Sequence, residues 1–156
     1  MHRYFIELAY NGSGYNGWQI QPNAPSVQEE INKALSLLLK QEINVTGAGR
    51  TDTGVHASFF VAHFESDVAI SHTKALADKL NRFLGKNIAI KDIYAVLPDM
   101  HARFSAISRT YKYYINKNKN PFTYPFAYRP HPLPDIRLMN SCVTRISPVS
   151  PNCTRM

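Results

Sequence analysis

Two segments with a helical repeat of apolar residues, each set between segments of alternating apolar residues, constrain most strongly what this chain folds into. The helical repeats cover residues 26–39 and 71–84, and the second ends at Gly85, a residue typical of helix C-termini. Strands are predicted at residues 4–10, 43–48, 58–65 and 88–96. The order β-α-β-β-α-β predicts a ferredoxin-like α+β fold, in which an antiparallel sheet carries two helices on one face.

The start of the first helix and the loop before it carry specific signals. The sequence Ser26-Val27-Gln28-Glu29 is typical of a capping box: we expect the Ser26 hydroxyl to accept from first-turn amides and the Glu29 carboxylate to reach back. The preceding loop, rich in Gly, Asn and Pro, holds the only tryptophan, Trp18. A loop tryptophan stacks on a ligand or fills an edge of the core, and we favour the core for Trp18.

Composition narrows the partners and the compartment. Eighteen Lys and Arg against eleven Asp and Glu give a net charge of +7, which favours an anionic partner, nucleic acid first. No apolar run approaches the length that spans a membrane, so we expect no membrane partner. Cys142 and Cys153 form no close metal-ligand pair, and no phosphate-binding loop or dinucleotide fingerprint is present. We expect a cytoplasmic protein without metal or cofactor.

The segment 47–57, Gly-Ala-Gly-Arg-Thr-Asp-Thr-Gly-Val-His-Ala, joins two predicted strands through small residues that permit a tight turn. Arg50 and Asp52 are two positions apart, so on an extended backbone their side chains leave on the same face. This pair is either a surface ion pair without function or a reactive carboxylate beside a guanidinium. The histidines, at 56, 63 and 101 among others, lack the spacing of a metal triad.

A basic and aromatic stretch follows the predicted sheet, with no acidic residue between Asp99 and Asp135. Alternating cations and rings can pair phosphates and stack on bases, and we expect RNA contacts here from Arg103, Arg109 and Lys112. The alternation predicts a strand over 109–115, with Tyr113 or Tyr114 packed inward.

Four sequence blocks, in this order, resemble the TruA-type tRNA pseudouridine synthases. They are YNGSGYNGWQ at 10–19, SVQE at 26–29, GRTDTGVHA at 49–57, and HARFSA at 101–106 running into RTYKY at 109–113. The resemblance covers residue 4 to about 140, the first half of such an enzyme. It implies isomerisation of uridine to pseudouridine in the tRNA anticodon arm, at positions 38–40, by a homodimer that needs no cofactor.

The resemblance also implies roles for three side chains. Asp52 matches the family's catalytic aspartate, acting either as a nucleophile or as a base. Arg50 would keep the Asp52 carboxylate ionised and oriented and help displace the base from the stack. Tyr111 matches the tyrosine that stacks on the flipped uracil.

The predicted organisation has four parts: a catalytic-aspartate domain at 1–100, a basic aromatic extension at 101–133, the start of a second domain at 134–142, and an out-of-frame tail at 143–156. The tail hypothesis is that a frameshift near Cys142 separates the chain from the family's second domain, which completes the cleft. Low activity is therefore expected of this chain. The alternatives are an RRM-like RNA-binding fragment without catalysis and a remnant that folds poorly.

Overall fold

The sheet predicted from the sequence is present in the structure, a computed structural model that describes residues 1–124 and 126–143, without the side chains of Ile136, Cys142 and Val143. The chain divides into two units, Met1–Thr110 and a second that begins at Tyr111. The predicted tail at 143–156 lies, after the backbone of Val143, outside the described residues.

The first unit follows the predicted order of elements. They are β1 (His2–Tyr10), α1 (Val27–Leu39), β2 (Thr46–Gly47), β3 (Ala57–Ser66), α2 (Thr73–Phe83) and β4 (Ile88–Val96), with a single 3-10 turn at Gly12–Gly14. The strands lie in the order β2-β3-β1-β4, and each neighbouring pair is antiparallel. This arrangement, with two helices packed on the sheet, confirms the ferredoxin-like α+β fold.

The pleat of β1 and β3 separates two faces of the sheet. Tyr4, Ile6 and Leu8 alternate into the core, where they meet the buried stripe of α1 and the buried side of α2. Burial of these apolar side chains contributes about 1.5–3 kcal/mol each to folding. The intervening residues of β1, together with His63 of β3, occupy the face that the helices leave open.

The start of α1 confirms half of the predicted capping box. The Ser26 hydroxyl accepts a hydrogen bond from the Glu29 N–H at 3.3 Å, as expected of an N-cap. The Glu29 carboxylate pairs with Lys33, one turn further along the helix, instead of reaching back to Ser26. An i,i+4 ion pair thus replaces the reciprocal bond.

The predicted strand at 43–48 is mostly wrong, because β2 is only Thr46–Gly47. Ile43 and Val45 are buried as the pattern suggested, but side chains of α1 satisfy their backbone groups. The Ile43 N–H donates to the Ser36 hydroxyl at 2.9 Å, and the Val45 N–H donates to Oδ1 of Asn32 at 2.9 Å. Because their backbone N–H groups bond to side chains of the helix, these residues do not pair with a neighbouring strand.

The predicted strand at 109–115 is also wrong. Among its described residues the second unit has one isolated bridge, Ile115 to Tyr128, with hydrogen bonds from the Asn116 and Tyr128 amides to carbonyls across it. Tyr113 is 90% exposed and Tyr114 is exposed too, so the expected inward packing does not occur. The unit also holds α3 (Ile136–Val143), whose first turn donates to the Asp135 carboxylate.

Within the ranges 1–124 and 126–143, no helix has the length and apolar character needed to cross a bilayer.

Candidate active-site loop

The loop between β2 and β3, residues 48–56, is held by the segment that follows β1. The backbone N–H of Trp18 donates to the Thr51 carbonyl at 3.2 Å, and the backbone N–H of Gly54 donates to the Tyr15 carbonyl at 3.3 Å. At the loop's far end the Gly12 N–H donates to Nδ1 of His56 at 3.1 Å. The loop is therefore shaped by residues more than thirty positions away in the chain.

Glycines make this close approach of two backbones possible. A Cβ on Gly12 would lie 2.1 Å from the Val55 carbonyl oxygen, and one on Gly17 would lie 2.2 Å from the Thr51 carbonyl oxygen. Gly17 also has φ of +88°, in the left-handed region. These two positions explain why the segment before α1 is rich in glycine.

Trp18 anchors the segment in the core, as predicted. It is 2% exposed, and its ring centroid lies 4.3 Å from that of Phe60 on β3. Gly47, the last residue of β2, lies beneath the indole, where an added Cβ would be 2.5 Å from Trp18 Nε1. The buried indole therefore fixes the position of the loop's first strand as well as its own segment.

Arg50 and Asp52 are both exposed and line one open depression of about 430 Å³. They form no ion pair with each other: among the described residues the side-chain ion pairs are Arg3 with Glu65 and Lys33 with Glu29. The Asp52 carbonyl accepts from the Val55 N–H at 3.2 Å, which closes a turn at the loop tip. The turn leaves the carboxylate facing solvent.

Three amide side chains that sequence reasoning did not select line the same depression: Asn16, Gln19 and Gln21. Amides present both a donor and an acceptor, so they can bond to the edge of a base or to a sugar hydroxyl. In the sequence Asn16 lies two residues before the buried Trp18 and Gln19 directly after it. Their closeness to a tryptophan expected in the core was the signal that could have selected them.

The three histidines considered above act as hydrogen-bond acceptors for backbone amides. Nδ1 of His63 accepts from the Ala102 N–H at 3.2 Å, and Nδ1 of His101 accepts from the Arg103 N–H at 3.1 Å. Burial, with the charges of His101 and Arg3 adding to it, lowers the pKa of His63 to about 4. Within the described part of the chain, no three metal-ligating side chains come together.

The predicted RNA-contacting residues fall in both units. Arg103 and Arg109 lie in the first unit, where the Arg109 guanidinium bonds to the carbonyls of Ala48 and Arg103. Tyr111, which is 62% exposed, and Lys112 belong to the second unit. Their roles remain predictions.

Fold and loop together define a ferredoxin-like α+β domain that presents an exposed carboxylate on a tightly held turn. No family model matches the chain. It is 52% identical over 140 residues to the tRNA pseudouridine synthase A of Bacteroides thetaiotaomicron, an alignment that covers 90% of the chain and 52% of the relative. The protein of the same name from Azobacteroides pseudotrichonymphae is 47% identical over 150 residues, 96% of the chain and 60% of the relative. That of Aquifex aeolicus is 39% identical over 131 residues, 83% of the chain and 54% of the relative.

Over about nine-tenths of its length the chain is thus similar to proteins named tRNA pseudouridine synthase A. It spans about half the length of the curated relatives it matches.

Proposed function

We propose that the chain carries the catalytic-aspartate part of an enzyme that isomerises uridine to pseudouridine in the anticodon arm of tRNA, at positions 38–40. The observation that carries the proposal is Asp52, exposed at the tip of a loop that the distant segment after β1 holds in place. Homologues named tRNA pseudouridine synthase A support the reaction class. We also propose that the full-length enzyme is a homodimer located in the cytoplasm.

The reaction requires a group that acts on the sugar or the base. The N1–C1′ bond breaks, C5 bonds to C1′, the proton of C5 leaves and N1 takes one up, so substrate and product are isomers. The Asp52 carboxylate serves either as nucleophile toward C1′ or as base toward a ribose proton. Arg50, in the same depression, offers charged donors to a phosphate or to a base oxygen.

The walls of the depression suit the edge of a base better than its face. All of its lining side chains are polar: Asn16, Gln19, Gln21, Arg50, Thr51, Asp52 and Thr53. Sites for flat, largely apolar ligands are usually lined by apolar and aromatic groups. The stacking role proposed for Tyr111 rests on the family resemblance. We expect the 156-residue chain alone to act slowly, because half of a cleft positions the base poorly. A base misplaced by about 1 Å can already react roughly a hundredfold more slowly.

The composition of the second unit supports the proposed binding of tRNA. Its exposed rings include Tyr111, Tyr113 and Tyr114, and Lys112 stands among them. Rings stack on unpaired bases while cations neutralise phosphates, so these residues suit the loop of an anticodon arm. Arg103 of the first unit is exposed and is a further proposed RNA contact.

The test compares three proteins and one control variant on a tRNA transcript, with pseudouridine measured by mass spectrometry of nucleosides. The three proteins are the chain alone, a chimera that continues it with the part of the Bacteroides thetaiotaomicron relative beyond the alignment, and the same chimera with Asp52→Asn. We expect product from the chimera at positions 38–40, near-background product from the chain alone, and none from Asp52→Asn. Asp78→Asn, at an exposed position of α2, is the matched control. Product that survives Asp52→Asn would refute the proposal.

The second candidate, an RNA-binding fragment without catalysis, is favoured by the exposed rings of the second unit. Both candidates predict tRNA binding by the chain, and both predict that Asp52→Asn leaves it intact. They differ in the chimera: a fragment that only binds RNA supplies no catalytic aspartate, so its chimera would yield no product.

A further inference from the structure

The segment that follows β4, residues 97–109, is fastened to the helix-free face of the sheet. The Met100 carbonyl accepts from Nη1 of Arg3 at 3.0 Å, and the Ala102 N–H donates to Nδ1 of His63 at 3.2 Å. Ala102 is buried there. Because β1 carries Arg3 and β3 carries His63, both contacts join the segment to the centre of the sheet.

The far end of this segment reaches the start of the Asp52 loop through one side chain, Arg109. Its Nε and Nη2 donate to the Ala48 carbonyl at 3.0 and 2.7 Å. Nη2 also donates to the Arg103 carbonyl at 2.6 Å. One guanidinium thus ties the first residue after β2 to the segment fastened on the sheet.

Ala48 is the first residue of the loop after β2. Its N–H donates to the Val61 carbonyl of β3 at 2.8 Å, so with Arg109 in place both of its backbone polar groups are bonded. Gly49 follows, and the Arg109 side chain lies against it: a Cβ at Gly49 would be 3.5 Å from Nε. Asp52 is four residues beyond Ala48, on the part of the loop that leaves the sheet.

We propose that Arg109 is a positioning residue for the Asp52 loop, which it holds by bridging the carbonyls of Ala48 and Arg103. The catalytic meaning of this role rests on the proposed function of Asp52, whereas the restraint on the loop does not. A guanidinium suits the task because its planar fork bonds two carbonyls in fixed directions. A lysine ammonium would act as a single point charge on a flexible stem.

The competing assignment is that Arg109 contacts a tRNA phosphate. Nε and both hydrogens of Nη2 are used by the carbonyls, which leaves the Nη1 group for such a contact. The two roles differ in what they change. Replacing a positioning residue changes the loop even without RNA and lowers kcat. Replacing a phosphate contact raises KM and lowers the salt dependence of RNA binding.

The first test is amide hydrogen exchange on the 156-residue chain without RNA, comparing wild type, Arg109→Gln, Arg109→Lys and the control Arg82→Gln. Arg82 is exposed on α2 and its change removes the same charge. The reporters are the hydrogen-bonded amides of Ala48, Gly54 and Val55. We expect about tenfold faster exchange in Arg109→Gln, since a hydrogen bond to a charged group is lost. Arg109→Lys should be intermediate and Arg82→Gln unchanged.

Equal exchange of these three amides in wild type and Arg109→Gln would overturn the proposal. Faster exchange throughout β1 and β3 would also overturn it, because it would show general destabilisation rather than a local restraint. The second test measures kcat and KM for the same variants in the active chimera, where a fall in kcat at constant KM is expected. If even the unsubstituted chimera forms no pseudouridine, the proposed function fails, while the exchange result still decides the role of Arg109.

Discussion

The contact between Gly17 and the loop can be tested by a pair of alanine substitutions at Gly17 and Gly54. Both glycines have positive φ, +88° and +78°, so alanine at either position adopts left-handed backbone at a cost of roughly 1–2 kcal/mol. The surroundings differ. A Cβ at Gly17 would lie 2.2 Å from the Thr51 carbonyl oxygen, whereas a Cβ at Gly54 meets nothing within 4 Å.

The difference between the two variants isolates the close approach. Replacing glycine by alanine also reduces the freedom of the unfolded chain, but this effect is similar at both sites and cancels. What remains is the displacement of Thr51, whose carbonyl accepts from the Trp18 N–H at 3.2 Å. Overpacking of this kind costs about 1–3 kcal/mol. We expect Gly17→Ala to be less stable than Gly54→Ala by that amount.

Urea unfolding followed by fluorescence provides the assay, since the only tryptophan, Trp18, is buried in the first unit. With a slope of roughly 1–3 kcal/mol/M, the Gly17→Ala midpoint should lie about 1 M below that of Gly54→Ala. Circular dichroism of the same samples checks that Gly17→Ala does not merely change the signal of its neighbour Trp18. Coincident midpoints for the two variants would refute the view that the glycine-rich segment clamps the loop.

Three other substitutions or conditions have defined outcomes. The free energy of unfolding should fall by up to about 3 kcal/mol as the pH drops from 6.5 towards 4. Burial lowers the pKa of His63 to about 4, so in this range the imidazole takes up a proton in the unfolded chain before it does so in the folded one. Urea midpoints taken at each pH should show a flatter slope in His63→Gln. Asn32→Ala should cost about 1–3 kcal/mol in thermal unfolding, because the buried Val45 N–H loses its acceptor, and an unchanged midpoint would contradict this. Ser26→Ala should cost about 1 kcal/mol by the same measurement, with Ser71→Ala as the exposed control.

The elements of the first unit could be predicted because their signals are local. The bounds of β4, Ile88–Val96, agree with the predicted strand at both ends, and α1 begins directly after the predicted N-cap, Ser26. A cap and a repeat act within one or two turns of the chain. The bounds of α2 were predicted less accurately, at 71–84 against Thr73–Phe83 in the structure. Its start is weakly marked, because the N-cap residue His72 makes no side-chain cap bond.

The two strands that were predicted wrongly share a cause, since an alternating pattern does not reveal which groups bond to the backbone. Ile43 and Val45 alternate as strand residues do, yet their amides donate to side chains of α1. The stretch 109–115 also alternates, but only Ile115 forms a bridge. A strand is defined by its partner, and the partner is a property of the tertiary fold.

The site shows the same division between local and distant information. The spacing of Arg50 and Asp52 predicted side chains on one face, but that rule holds for extended strands, and these residues lie in a loop outside any strand. Their shared depression arises from contacts that no local pattern encodes: the Thr51 carbonyl with the Trp18 amide, and the Ala48 carbonyl with Arg109. A motif therefore singled out Asp52 as the proposed catalytic residue, while its placement depends on residues elsewhere in the chain. If Asp52 is catalytic, as proposed, substitutions in the glycine-rich segment or at Arg109 should lower the rate of the reaction without changing its carboxylate.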